Sequence, residues 1–535
     1  MKKIIGILIC MLLIATAVPA VTSQNNKAIT VTVSDTKQSC ILTNWNETQK
    51  LITSDGVAGD NFGVPISLDG DTALIGAAYD DSDKGSAYVF TCSGATWTQQ
   101  AKLTASDGAA GDYFGFGSLD GDTALIGAAG DDTDRGSAYV FTRTGTTWTQ
   151  QQKLVASDGA AYDVFGYSIS LDGDVALIGA FCDDSEKGSA YIFVRNGTTW
   201  TQQQKLIASD GIIGDWFGYS VSLKGETALI GTYDAESAYV FIYSGTTWTQ
   251  QAKLIASDGT AGDNFGLSIS FDGNTALIGA YGDDDKGSAY VFTCSGATWT
   301  QQAKLTASDG ATGDQFGYDQ CVSVDGDTAL IGANMNDGNG SNSGSAYVFT
   351  RTGTTWTQQA KLLASDSTAG DSFGFGVSLD GDTAFIGATG DDDNGIDSGS
   401  AYVFIKESEN QPPINPTITG PSEGKIKVAT DYNFTTTDPD GDEVYYFIDW
   451  DDQTNSSWIG PYPSGDVVNK SHTWSKKGDY TIKAKAKDIN GNESDWGTLS
   501  VTMPYSHNLP FMQFWMKLLE RFPHAFPILR HFLGY

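Results

Sequence analysis

One block recurs seven times along this chain: K-L-x-A-S-D-G, then F-G, then A-L-I-G-A, then G-S-A-Y-V-F, then T-T-W-T-Q-Q. Its Phe-Gly pairs start at Phe62, Phe114, Phe165, Phe217, Phe265, Phe316 and Phe373, at spacings from 48 to 57 residues. A period of this length implies stacked supersecondary units, each burying its apolar faces against its neighbours. It excludes an ordinary globule built around one continuous core.

Within one repeat, four segments have strand character: Phe165 to Leu171, Ala176 to Ala180, Ser189 to Val194 and Trp200 to Leu206. Each is short, rich in β-branched and aromatic residues, and bounded by Gly or Asp. Four antiparallel strands repeated seven times around an axis predict an all-β, seven-bladed β-propeller. The tryptophan strands begin at Trp45, Trp97, Trp148, Trp200, Trp248, Trp299 and Trp356, so one precedes the first Phe-Gly and none follows Ala401 to Phe404. The strand from Trp45 to Leu51 is therefore expected to complete the seventh blade and leave no open edge.

With its S-D-G-x-x-G-D-x-F-G variant, the motif resembles the FG-GAP repeats of integrin α-subunit propellers and of exported bacterial and archaeal proteins. The resemblance covers about residues 41–406 and implies a propeller that acts outside the cell in adhesion or ligand binding. It also raises calcium as a cofactor. The integrin calcium loop does not carry over, because the loop between the first two strands is only Leu171-Asp172-Gly173-Asp174 and its equivalents. Asp-Gly is the preferred pair for a two-residue hairpin.

The loops between the second and third strands are the acidic ones. They carry Asp80, Asp81 and Asp83; Asp131, Asp132 and Asp134; Asp183 and Asp184; Asp283, Asp284 and Asp285; and Asp391, Asp392 and Asp393. They are expected on the same face as the blade-to-blade connections, which bring Asp55 and Asp60 and their equivalents. Like charges crowded on one face repel unless solvated or neutralised, which points to calcium. Local Asx turns are the competing reading of the same residues. Identical loops cannot build an asymmetric site, so partner binding is expected where the repeat departs from itself: Tyr233, Asp234 and Glu236 in blade four, and Asn334, Asn336 and Asp337 in blade six. Lys224 also replaces a hairpin Asp in blade four.

After the Pro-Pro linker (407–414) the pattern becomes that of a β-sandwich over 415–503. D-P-D-G-D, I-D-W-D and G-D-Y-T-I-K-A-K-A-K-D resemble the PKD and related immunoglobulin-like domains of exported proteins, which serve as spacers or adhesion modules. Asp438, Asp440 and Asp442, with Asp488, cluster as a calcium site needs, or as a plain turn does. Residues 1–20 carry a basic start, an apolar run and V-P-A, the pattern of a secretory signal peptide. Residues 21–40 form an N-terminal lead, and 504–535 a short amphipathic aromatic tail suited to peripheral membrane or envelope attachment.

A net charge of −34 disfavours nucleic acid as a partner. An odd number of cysteines after signal removal gives no disulfide framework. All four histidines, His472, His507, His524 and His531, lie outside the repeats. The expected function is a secreted or cell-surface, non-catalytic binding or adhesion protein with a protein or glycan partner. The alternatives are a passive envelope component and a carbohydrate-active enzyme.

Overall fold

The computed structural model describes residues 45–407 and 410–504, with Lys517 and Arg521. The expected signal peptide, the lead and most of the tail lie outside these residues. The repeats form seven four-stranded antiparallel sheets. In the first, Ile66–Asp69 is the inner strand, followed outward by Thr72–Ala77, Ser86–Ser93 and Thr96–Leu103. In the seventh, Phe373–Asp380, Thr383–Ala388 and Ser400–Lys406 are followed by Trp45–Leu51 from the other end of the repeats. Each inner strand contacts that of the next blade, and the seventh contacts the first. The seven sheets therefore close into a ring, as a propeller does.

The sequence explains each layer. The second strand reads T-A-L-I-G-A and is buried along its whole length, because both of its faces lie between neighbouring blades and alternation gives way to a continuous apolar run. The outer strand T-W-T-Q-Q-A-K-L has one face in solvent and alternates. Its register with the third strand shifts between Val89 and Phe90, and the same bulge recurs in the other blades. Such a bulge twists an exposed edge out of reach of other strands.

Phe62 of the first Phe-Gly packs edge-on against Tyr88 at 5.6 Å and touches Phe90. Gly85 ends the acidic loop at φ +80, and a Cβ there would lie 1.9 Å from the Phe114 carbonyl of the next blade. Only glycine fits both that conformation and that approach. In most blades the inner strand is shorter than its sequence pattern predicts. In the third blade it starts at Ile169, with Phe165 bridging Gly136 of the previous blade, whereas in the second and seventh blades it runs from the Phe itself.

The hairpins tie the ring at its other end. The Asp69 carboxylate accepts the Gly121 N–H of the next blade at 2.6 Å. The link repeats from Asp120 to Gly173, Asp172 to Gly225, Asp272 to Gly326, Asp325 to Gly381 and Asp380 to Gly70. Among the described residues the junction of blades four and five lacks it, since Lys224 has no acceptor to offer Gly273.

Beyond the ring, Thr417–Thr419, Thr430–Thr435 and Val468–His472 form one sheet, and Asn455–Tyr462, Val444–Asp449, Gly478–Lys487 and Gly497–Met503 another. Both contribute to one hydrophobic core around Tyr432, Phe434, Tyr446 and Trp474.

Candidate functional site

The acidic loops are built around lysine. The K of each K-L motif sits on the outer strand and reaches across its sheet. Lys205 Nζ lies 2.9 Å from Asp158 and 2.6 Å from Asp183. The Tyr191 hydroxyl donates to the same two carboxylates at 3.0 and 2.6 Å. Lys102 spans Asp55 and Asp80, Lys153 spans Asp107 and Asp131, and Lys304 spans Asp258 and Asp283. Burial pushes the Asp80 carboxyl up, but bonds from its neighbours, Lys102 foremost, outweigh it and hold it below the ordinary carboxylate value.

In the seventh blade three carboxylate oxygens, from Asp366, Asp391 and Asp393, lie within 4.8 Å of one another. Lys50 Nζ stands among them at 2.7, 2.8 and 2.6 Å. Calcium needs about six to eight oxygens at roughly 2.3–2.6 Å. An ion here would have to displace an ammonium that offsets one of the three negative charges. The propeller clusters as they stand are occupied by lysine, and among the described residues only the trio of blade seven has the spacing at which three carboxylates could share an ion.

The remaining acidic residues turn outward or serve the backbone. Asp81 pairs with Lys84 and Asp132 with Arg135. Asp284, Asp285 and Asp392 are exposed, and Asp392 caps the Asp397 N–H. The backbone carbonyl of Asp83 accepts the Gly111 and Tyr113 N–H groups of the following connection, and that of Asp134 accepts Val164. The loops thus dock each blade onto the next. Asp60 and its equivalents close local turns: Asp60 accepts Val57 N–H, Asp163 accepts Ala160 and Asp371 accepts Thr368.

Most of the residues expected to bind a partner are used internally. Glu236 occupies the glycine position of the shortened loop. Its carboxylate accepts the N–H groups of Gly262, Asn264 and Phe265, standing in for the two loop carbonyls that blade one offers through Asp83 and Lys84. Asn336 replaces the buried Asp of the other blades. It donates to Asp314 and accepts from Ser345 and Lys361. Asp337 caps the Asn342 N–H within its own loop, and Asn334 is fully buried. Glu236, Asn336 and Asp337 each repair their own altered loop, whereas both side-chain polar atoms of Asn334 are buried without a hydrogen-bond partner. Asp234 remains exposed, and Tyr233 stacks against Trp216 and Tyr219.

The C-terminal acidic cluster is built differently. Asp438 is 6% exposed and Asp488 1%. Asp438 Oδ1 accepts the Asp440 and Asp442 N–H groups, whereas its Oδ2 is buried without a partner. Asp488 accepts Gly491 and Asn492 N–H and the Asn410 side-chain amide. Asp440 accepts Gln411 N–H, and Asp442 accepts the Asn490 amide. Desolvation, then the charges of Asp438, Asp488 and Asp440, push the Asp442 carboxyl up. Among the described residues no ammonium or guanidinium pairs with these carboxylates. They stand wider apart than the propeller trio, since no second group of three meets the 4.8 Å spacing. All-oxygen donors, an orphaned buried carboxylate oxygen and uncompensated charge are the chemistry a hard cation such as calcium prefers, although the carboxylates as they stand are not spaced to share one ion.

Sequence reasoning missed a further site on the ring axis. The residue after each Phe-Gly is Val64, Phe116, Tyr167, Tyr219, Leu267, Tyr318 or Phe375, and Tyr219 and Leu267 pack with Phe181 and the neighbouring aromatics. Asp319 is buried beneath them. The available signal was a length count: Phe316 to Asp325 is two residues longer than Phe165 to Asp172.

A search of curated proteins finds no match. Among solved structures, the chain is similar to the PKD domain of an M14-like peptidase from a Thermoplasmatales archaeon, at 55% identity over 18% of this chain and 99% of that one, TM-score 0.18. It is also similar to an exo-β-1,3-galactanase from Phanerochaete chrysosporium, at 9% identity over 85% of this chain and 99% of that one, TM-score 0.27. The FG-GAP repeat model matches residues 45–90, 97–141, 148–193, 200–241, 248–292, 299–349 and 356–404. With more than half of its residues inside those matches and seven sheets closing into one ring, the chain belongs to the FG-GAP repeat family.

Proposed function

We propose that this is an exported, cell-surface binding or adhesion protein. Its propeller is a non-catalytic ring that presents the connection face to a protein or glycan, and its C-terminal module is a PKD-type domain loaded with calcium. The observation that carries this reading is an interruption of the acidic face. Ile212 and Ile213 are 65% and 67% exposed on the connection into blade four, where blade one has Val57 and Ala58 and the other blades have only Ala or Thr. Val155, Tyr162, Ile207 and Ile255, on the same and adjacent connections, are exposed too. Asp234, on the shortened loop of the same blade, is exposed. An apolar patch rimmed by charge is the usual mark of an interaction surface.

The non-catalytic part is supported by the accounting of reactive groups. Among the described residues the single histidine, His472, stacks on Trp450 and bonds Asp452, and the acidic-loop carboxylates Asp80, Asp131, Asp183, Asp283 and Asp391 are tied to lysine. No helix among them is long and apolar enough to cross a membrane. The test is binding of the labelled full chain to envelope preparations and to a glycan array. Wild type is expected to bind, and the Ile212→Asp/Ile213→Asp double variant to lose the signal. Equal binding by both would sink this reading.

A further inference from the structure

The ring encloses an axial cavity of about 250 Å³. The inner strand of every blade contributes to it, from Pro65 and Ile66 in the first, through Phe116, Tyr167, Tyr219 and Leu267, to Val377 in the seventh. Along most of its length the lining is apolar or serine hydroxyl. Blade six breaks this uniformity, because its two extra residues place Asp319 and Gln320 in the wall.

Asp319 is 4% exposed. One of its oxygens accepts the Tyr167 hydroxyl at 3.1 Å and the Tyr219 hydroxyl at 3.4 Å, and these two hydroxyls lie 3.0 Å apart. Gln320 Oε1 is buried without a hydrogen-bond partner. No Lys, Arg or His lines the cavity. The other buried propeller carboxylates pair with lysine, as Asp80 and Asp183 do, or accept a backbone N–H within a turn, as Asp60 and Asp163 do, whereas Asp319 faces the cavity with tyrosine hydroxyls as its side-chain partners. The wall thus holds a carboxylate with no cation beside it and one carbonyl oxygen left without a donor. Phe116 and Tyr167 stack at 5.0 Å, and Tyr167 and Tyr219 at 5.1 Å, beside them. Aromatic faces attract cations, most of all where water is excluded.

We propose that the axial cavity is a binding site for a small protonated amine, an alkylammonium whose N–H donors meet Asp319 and Gln320 and whose methylenes lie along Phe116, Tyr167 and Tyr219. The cavity volume limits the ligand to a few heavy atoms, because pockets that hold drug-sized molecules run from about 300 to 1,000 Å³. This site is independent of the connection-face reading above and uses none of its residues.

Burial pushes the Asp319 carboxyl up to about 7. The titratable groups facing it are Tyr167, Tyr219, Tyr318 and Cys321, and burial drives each of them upward, away from neutrality. Asp319 is therefore the group that changes charge near neutral pH, and amine binding is lost as the pH falls below about 7.

The experiment is calorimetric titration of the full chain with methylammonium and with putrescine, at pH 8 and pH 5.5, in enough salt to screen the exposed acidic face. The expected result is one site per chain at pH 8, at least about tenfold weaker at pH 5.5 and in Asp319→Asn. Asp285→Asn, on the exposed rim, is expected to bind as wild type. No saturable binding at millimolar amine, or binding unchanged both by pH and by Asp319→Asn, overturns the site. If Asp319→Asn does not fold, the wild-type comparison at the two pH values decides alone.

Discussion

Two acidic clusters in this molecule solve the same electrostatic problem in opposite ways. In the propeller, the first carboxylate of the acidic loop in blades one, two, three, five and seven meets a lysine ammonium and a tyrosine hydroxyl, as Asp183 meets Lys205 and Tyr191. In the C-terminal module, Asp438 and Asp488 are comparably buried, yet their partners are backbone amides and asparagine, and one Asp438 oxygen has none. The cluster that looks most like a calcium loop in sequence carries its own cation within the repeat. The plainer D-P-D-G-D turn is the one left short of positive charge.

The sharpest way to break this contrast is to remove an internal cation. Lys205→Met keeps much of the stem that packs on Tyr191 but strands the Asp158 and Asp183 carboxylates. Removing one partner of a fully buried pair costs roughly 3–5 kcal/mol. Asp158 is half-exposed, so the expected loss in denaturant unfolding is about 2–3 kcal/mol. The variant is also expected to gain a stabilising response to calcium at this blade, since Asp158, Asp183 and Asp184 are then free to share an ion. A variant as stable as wild type would show that the lysine is ornamental.

Calcium itself sharpens the comparison from the other side. At a hundredfold excess over its dissociation constant, a ligand of the native state adds about 2.7 kcal/mol. Hydrogen exchange should register this as slower exchange at Asp440, Asp442, Gly491 and Asn492, lost in Asp438→Asn. Gly111 and Tyr113, which dock on the propeller loop, should not change. Protection of the propeller amides and not the C-terminal ones would reverse the assignment.

The repeat made the sheets and their number legible, because a fixed pattern of apolar strands and Gly-Asp turns dictates them locally. What each loop residue does was not legible. Glu236 stands at a glycine position and reads as an exposed departure, but its two oxygens replace two carbonyls removed with the shortened loop. Glu236→Ala is accordingly expected to cost about 1–3 kcal/mol, since it leaves the Gly262, Asn264 and Phe265 amides without acceptors, with faster exchange at those amides as the local readout. Asp319 escaped for a similar reason. Its partners Tyr167 and Tyr219 lie 152 and 100 residues away, and only closure of the ring brings them together.

The smallest expected effect comes from a lysine that sits where carboxylates do the linking. At six hairpins an Asp accepts the Gly N–H of the following blade, and Lys224 breaks that circuit before Gly273. Lys224→Asp supplies the missing acceptor in a geometry the other six junctions already show. One exposed hydrogen bond contributes about 0.5–1.5 kcal/mol, and an added negative charge among the neighbouring hairpin aspartates takes part of it back, more at low salt than at high. The net expectation is a gain of about 0.5 kcal/mol in moderate salt, seen as slower exchange of the Gly273 amide. A gain that grows as salt is removed would mean that charge, and not the hairpin bond, governs this junction, and the distinction between carboxylates that link blades and carboxylates that need a cation would have to be redrawn.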